Sequence, residues 1–208
     1  MTGGWRRRLK EIFRLESTLP PHINILHYLG SLAFILFSIE VITGVLLMIY
    51  YRPSAGEAYQ SIRYIMTDVR LGWLVRGVHK WAGELLILVI LLHLLRVYFY
   101  GTYKHPRELN WIIGILLLGF TIGFGFTGTL LPWDQGAFWT INYAKEAISS
   151  VPILGTFFLD LLWGGPGLGS AALLRFYVFH VGILPWIFAS LLLLHLYLAV
   201  YHGIGERR

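Results

Sequence analysis

Four apolar stretches dominate this sequence: about 25–51, 73–100, 111–131 and 176–201. Each reaches the ~20 residues that a hydrocarbon core of ~30 Å requires. Within lipid every backbone polar group must find its partner inside the segment, so stretches like these span as helices. The expected fold is an all-α membrane protein, a four-transmembrane-helix bundle, with residues 1–208 read as one domain. A composition that is 56% hydrophobic fits this reading and excludes an ordinary soluble domain.

The four spans share one ruler. His79 and His93 are fourteen residues apart on the second, Gly30 and Gly44 fourteen apart on the first, and Gly114 and Gly128 fourteen apart on the third. On the fourth, His180 and His195 are fifteen apart. Fourteen helical residues rise about 21 Å and return within roughly 40° of whole turns; fifteen rise about 22 Å and miss by about 60°. Two helices therefore present imidazoles, and two present gaps, at the same two depths. Histidine inside an apolar span is costly and is functional by default.

Two imidazoles at each of two depths make two bis-histidine sites. Haem iron accepts an imidazole on either side, and the porphyrin supplies the other four ligands. The pattern therefore reads as a haem-binding bundle with two non-covalent b-type haems. Each is ligated by two of His79, His93, His180 and His195 and flanked by two of Gly30, Gly44, Gly114 and Gly128. Glycine lets a backbone approach a flat macrocycle. Arg76 and Arg96 stand three residues outside their histidines, where propionates are expected, and arginine suits carboxylates. With zero cysteines there is no disulfide, zinc–thiolate site, iron–sulfur cluster or thioether-linked haem on this chain.

Residues 1–20 include WRRRLKEIFRLES, which reads as a basic amphipathic helix on the membrane surface, ended by Pro20-Pro21. No cleavable signal peptide is expected there. Four spans place both termini on one side. Arg6, Arg7, Arg8, Lys10, Arg14, Lys104, Arg107, Arg207 and Arg208 share that side, so it is read as cytoplasmic or its equivalent, in an inner or equivalent energy-transducing membrane. The net charge of +6 is then a topology signal and not a nucleic-acid surface. His79 and His180 fall near the outer face, and His93 and His195 near the inner one. The long outer connection, 132–175, holds two expected surface helices, Phe138–Val151 and Leu154–Trp163, and a turn at Gly164-Gly165-Pro166-Gly167. A long ordered connection among short ones often carries a site.

Glu40 and Glu84 are carboxyls inside spans, where a partner is the rule. Lys80 lies one turn from Glu84 and is a ready one. The functional reading of both is proton relay or haem tuning; the plain reading is an ion pair or hydrogen bond. His22, His27, His105 and His202 fall outside the paired pattern, either lining a quinone pocket or sitting at the interface.

RGVHKWAGE, HLLRVY, GTLLPWDQGAFW and LRFYVFHVGILPW resemble the N-terminal part of cytochrome b from Rieske/cytochrome b complexes. The resemblance covers about residues 20–205. It is nearest to the split, four-span b6 branch, in the fifteen-residue histidine interval, in YYRP, KHPREL and LPWDQ, and in an end after the fourth span. It implies that His79 and His180 ligate an outer, low-potential haem b, and His93 and His195 an inner, high-potential one. Gly44 and Gly128 would flank the former, Gly30 and Gly114 the latter, with Arg76 and Arg96 meeting propionates. Quinol would be oxidised at the outer face. One electron would go to a Rieske iron–sulfur protein and a c-type cytochrome, and the other across both haems to a quinone, coupled to proton translocation. A homodimeric complex is implied as well.

Two departures bear on partners and cofactors. The b6 branch carries a cysteine two residues before the first span's first glycine, holding a c-type haem; Tyr28 stands there, so a covalent haem is not expected. The family's proline-glutamate-tryptophan-tyrosine motif is missing, so a separate subunit is expected to supply the later spans and half of the outer quinol site. This chain's wall of that site is read as Gly128, Thr129, Pro132, Trp133 and Tyr143. Two alternatives stay open. One is a dihaem subunit linking quinone to a dehydrogenase or hydrogenase. The other is a non-redox metal transporter or anchor, which would gather its donors at one depth.

Overall fold

The structure is a computed structural model that describes residues 25–152, 154–164 and 169–202. The expected surface helix within 1–20 lies outside them. Four helices are long and apolar enough to cross a membrane: Leu26–Met48, Gly72–Phe99, Glu108–Leu130 and Ser170–Tyr201, with mean hydropathy between 1.9 and 2.2. We label the elements α1 (Leu29–Met48, entered through a 3-10 turn, Ile25–Tyr28), α2 (Ala58–Thr67), α3 (Gly72–Phe99) and α4 (Glu108–Leu130). There follow α5 (Gln135–Ser149), α6 (Leu154–Trp163), α7 (Ser170–Tyr177) and α8 (Leu184–Tyr201). The π-helical segment Val178–Ile183 joins α7 to α8 into one span. No strand occurs among the described residues.

The spans alternate in direction. The α1–α3 and α4–α7 connections lie at one end, called upper below, and the short α3–α4 connection at the other, lower end. Helix α1 packs on α3 through Leu36, Ala82, Leu86, Val89, Ile90 and Leu94. Helix α4 packs on α8 through Ile113, Leu117, Phe188 and Leu198. Phe37 joins the two pairs, its ring 4.5 Å from that of Phe188. Outward faces are apolar and open, as at Trp186 (75% exposed) and Leu193 (69%), the surface that lipid or neighbouring subunits solvate. Hydroxyls inside the spans satisfy themselves on the preceding turn: Ser38 donates to the Phe34 carbonyl, Thr121 to Leu117 and Ser190 to Trp186.

The upper end is roofed. Pro132 stops α4, and Trp133 takes a left-handed φ of 52° that swings the chain sideways. Asp134 then caps α5, accepting from the Ala137 amide at 2.9 Å. Leu130, Ile141, Trp163, Ala172 and Phe176 close a core beneath α5 and α6. The two expected surface helices are thus present, with the first starting three residues earlier because Asp134 is its cap. Of the expected glycine turn only Gly164 is described, at φ 74°. Helix α2 was not foreseen. Its end abuts the start of α3 so tightly that a Cβ on Gly72 would meet the Ile65 carbonyl oxygen at 2.0 Å.

The π segment accounts for the fifteen-residue interval. A π turn takes in one residue more than an α turn, so the extra residue adds little of its usual rotation. Pro185, just beyond, has no N–H to bond the carbonyl four residues back, which marks where the regular ladder yields.

Candidate metal centres

Each of the four histidines faces one of the four glycines. A Cβ built on Gly44 would lie 3.2 Å from Cε1 of His79, and one on Gly30 3.2 Å from Cε1 of His93. A Cβ on Gly128 would lie 2.9 Å from Cε1 of His180, and one on Gly114 3.6 Å from Cε1 of His195. The antiparallel pairs α1/α3 and α4/last span therefore mesh as ring into gap at both levels, His180 standing on the π segment and His195 on α8. What the glycines admit is first the imidazole edge of the adjacent helix.

At the upper level the rings of His79 and His180 stand with centroids 6.4 Å apart and planes at 77°. The two rings, carried by different helices, thus meet across the upper level. Nδ1 of His79 lies 2.9 Å from Thr43 Oγ1 and 3.2 Å from Glu40 Oε2. Nδ1 of His180 lies 2.9 Å from Thr127 Oγ1. Each threonine hydroxyl donates to a carbonyl on its own helix, Thr43 to Ile39 at 2.7 Å and Thr127 to Gly123 at 2.8 Å. Its oxygen is then an acceptor for the ring, which places the proton on Nδ1 and leaves Nε2 as the free donor.

The lower level differs. His93 faces Gly30 and His195 faces Gly114; neither Nδ1 has a side-chain acceptor among the described residues, and His195 has the Asn110 backbone beside it. The sequence shows why: the residue before each upper glycine is threonine (Thr43, Thr127), whereas Leu29 and Ile113 precede the lower ones. These threonines were missed in reading the sequence, and the Thr-Gly repeat was the available signal. Between the levels lies a mostly apolar layer of Phe37, Leu86, Thr121 and Phe188.

The donor set suits a planar cofactor. Among the described residues no three histidine, cysteine or carboxylate groups converge on one point, so each level offers two nitrogens, two short of a closed zinc site. Buried polar atoms without partners gather at the lower end: Arg96 Nε, Arg107 Nε, Asn110 Oδ1 and His202 Nδ1. An anionic group such as a haem propionate would satisfy Arg96, whose guanidinium lies 5.4 Å over the Tyr100 ring. Arg76, at the upper end, has only the weak acceptor Met66 Sδ at 3.7 Å among the described residues.

The residues read as a quinol wall are not gathered round one cavity. Trp133 lines an upper cleft of about 740 Å³ with Tyr59, Asp134, Gln135, Gly136 and Phe138. Gly128 faces His180 instead, and Thr129 bonds back to Phe126. Tyr143 is 66% exposed on α5, and Pro132 serves to end α4. Lys80 and Glu84 do pair, at 3.3 Å, on the exposed side of α3. His105 is exposed beside Glu108, and His27 lies edge-on to Tyr100. The His202 carbonyl accepts from Arg107 at 3.4 Å. His22 is outside the described residues.

Fold and site together define a four-span membrane bundle with two stacked histidine pairs. The family model described as cytochrome b/b6/petB matches residues 14–203, and the chain belongs to the cytochrome b/b6 family. It is 41% identical over 187 residues to cytochrome b6 of Synechococcus sp. (strain CC9605), covering 90% of this chain and 86% of the relative. The same identity and coverage hold for cytochrome b6 of Prochlorococcus marinus (strain NATL1A). A solved structure, Hyperthermophilic respiratory Complex III, superposes with a TM-score of 0.85 at 32% identity, covering 97% of this chain. The chain spans about half of that one, 54% of its length.

Proposed function

We propose that the chain is the dihaem cytochrome b subunit of a quinol-oxidising Rieske/cytochrome b complex. The observation that carries this reading is the facing of four histidines onto four glycines at two levels. His79 and His180 hold the upper b haem, and His93 and His195 the lower. A haem so ligated supplies one-electron transfer at an iron closed to oxygen and substrate. The protein does the rest. Thr43 and Thr127 fix the tautomer of the upper ligands, and the glycines keep the rings' places open. Arg76 and Arg96 hold propionates, and the layer of Phe37, Leu86 and Phe188 keeps water from between the levels.

The upper end is the outer face. There the cleft beside Trp133 forms this chain's part of the quinol oxidation site, and the orphaned polar groups at Asn110 and His202 border quinone reduction at the inner face. Both termini lie on the cytoplasmic side, and the whole is one domain in an energy-transducing membrane. The partners are a subunit carrying the remaining cytochrome b spans, a Rieske protein and a c-type cytochrome, in a dimeric complex coupled to proton translocation. No covalent haem is carried, since Tyr28 offers no thiol.

Purification with native partners, a pyridine haemochrome assay and a redox titration test this. Two b haems per chain at separated potentials are expected. A folded but colourless protein, or a c-type signal on this chain, refutes it.

A further inference from the structure

Glu40 has no role in the scheme above, yet among the described residues it is the one carboxyl residue that is not exposed. It sits on α1 one turn from Gly44, facing α3, with its side chain 17% exposed. Helices α1 and α3 interlock twice there. Gly44 makes room for His79, and Gly83, one turn beyond His79, lies against Glu40: a Cβ on Gly83 would be 3.6 Å from the carboxyl carbon. Oε2 lies 3.2 Å from Nδ1 of His79, and Oε1 is enclosed without a hydrogen-bond partner among the described residues. No lysine or arginine among the described residues forms an ion pair with Glu40. The nearby Lys80 turns outward to Glu84. A carboxyl in a membrane span normally has a cation or a function; here the carboxyl meets the Gly83 backbone and a ring that the site assigns to a metal.

Comparison within the molecule isolates what is unusual. The two upper stations share a pattern, Glu40-Val41-Ile42-Thr43-Gly44 on α1 and Phe124-Gly125-Phe126-Thr127-Gly128 on α4. Thr43 and Thr127 meet their histidines at the same 2.9 Å. The difference lies four residues before the glycine. Phe124 packs edge-on to His180, centroids 5.6 Å apart, where Glu40 offers His79 a second acceptor.

We propose that Glu40 is a positioning residue for the upper centre: it shares the Nδ1 proton of His79 with Thr43 and makes His79 the stronger donor of the two upper ligands. Hydrogen bonding at the outer nitrogen raises the basicity of a ligating imidazole and holds its orientation. A stronger donor favours the oxidised metal, so Glu40 lowers the potential of the upper haem and leaves the lower one unchanged. The inference rests on the dihaem reading, and the test separates the two.

Redox titrations of the wild-type, E40Q, E40D and T43V complexes, with haem counted per chain, decide it. Wild type lacking two b haems refutes the dihaem reading itself. With two haems present, E40Q is expected to raise the upper midpoint by about 59 mV or more, tenfold in the one-electron ratio. The lower midpoint stays fixed, and E40D recovers part of the shift. Unmoved midpoints, or both moved equally, overturn the role of Glu40. Should E40Q not assemble, T43V decides. With Glu40 still holding the ring proton its upper midpoint stays within threefold of wild type; a tenfold shift assigns the proton to Thr43 alone and overturns the proposal.

Discussion

The tightest contact at either level is Gly128 against His180, and it sets the sharpest prediction. In G128A the new Cβ would start 2.9 Å from Cε1 of the ring. Carbon atoms pack at about 3.5–4.0 Å, so ring and helix must part by roughly 0.6–1 Å, beyond the ~0.5 Å within which a ligand constellation works. The ring cannot retreat freely. Thr127, on the same helix, holds Nδ1 at 2.9 Å, and a retreat of that size takes this bond past hydrogen-bonding distance. Phe124 lies edge-on beside it. Overpacking of this kind costs about 1–3 kcal/mol, which weakens occupancy of the upper haem by about 5- to 150-fold.

G114A is the matched control. There the new Cβ would sit 3.6 Å from His195 Cε1 and 3.4 Å from Leu94 Cδ2, ordinary contacts, and alanine gains up to ~1 kcal/mol of helix propensity over glycine. G44A and G30A share a 3.2 Å contact, but His79 is held by Thr43 and Glu40 while His93 Nδ1 has no partner among the described residues. His93 therefore yields more easily. Haem per chain, with redox titration to identify which haem is lost, should rank the damage G128A, then G44A, then G30A, then G114A. Equal haem loss in G114A and G128A, or two haems at wild-type potentials in G128A, refutes the reasoning.

T127V removes the acceptor on the His180 ring (2.9 Å); the upper midpoint should rise and upper-haem affinity fall about 10- to 100-fold, the usual cost of losing an outer-shell partner, read by haem titration into the apoprotein. Tyr51, just beyond the first span, donates to the Leu131 carbonyl at 2.7 Å, and Y51F should cost about 1–3 kcal/mol by leaving that carbonyl unpaired. Burial and then the neighbouring Tyr177 push the Tyr51 phenol above its ordinary 10.0. Its stabilising effect is thus whole below pH ~10 and fades as pH climbs from there, so thermal melts should decline above pH ~10 in wild type and more shallowly in Y51F. E84A breaks the exposed pair with Lys80 (3.3 Å), worth about 0.3–0.5 kcal/mol, and should leave haem content and both potentials unchanged; a lost haem would show that the pair reaches the site.

What could be read in the chain was what repeats along it. Hydrocarbon thickness and helical pitch are fixed, so span lengths and the fourteen-residue interval carry straight into depth, and the four histidines and four glycines fall out of that arithmetic. What could not be read depends on contacts between helices. That glycine lets a backbone approach a macrocycle is legible in one dimension, whereas the pairing of Gly44 with His79, or Gly83 with Glu40, needs the antiparallel register of α1 against α3. Thr43 and Thr127 look like ordinary membrane hydroxyls until that register brings an imidazole to them. The fifteenth residue of the last span appeared as a 60° misalignment, because one-dimensional spacing cannot show a π turn before Pro185. Helix α2 hid behind Pro53 and Gly56, whose breaking signal is real but sits just ahead of its first turn.

The same register explains why the two levels need not be chemically alike. Packing requires only that a ring meet a glycine, and all four stations obey that. Ligand strength depends on the neighbours one and four positions before the glycine, and those vary without disturbing the mesh: Thr43 and Glu40, Thr127 and Phe124, Leu29 and Leu26, Ile113 and Asn110. A bundle built this way separates the holding of two centres from the setting of their electronic character. The upper centre receives two threonine acceptors and a carboxyl; the lower receives no side-chain acceptor at Nδ1 among the described residues, only the Asn110 backbone beside His195. On the dihaem reading proposed above, an electron at the upper level meets the more strongly donating ligands and is held less tightly there, which sets the gradient from upper to lower.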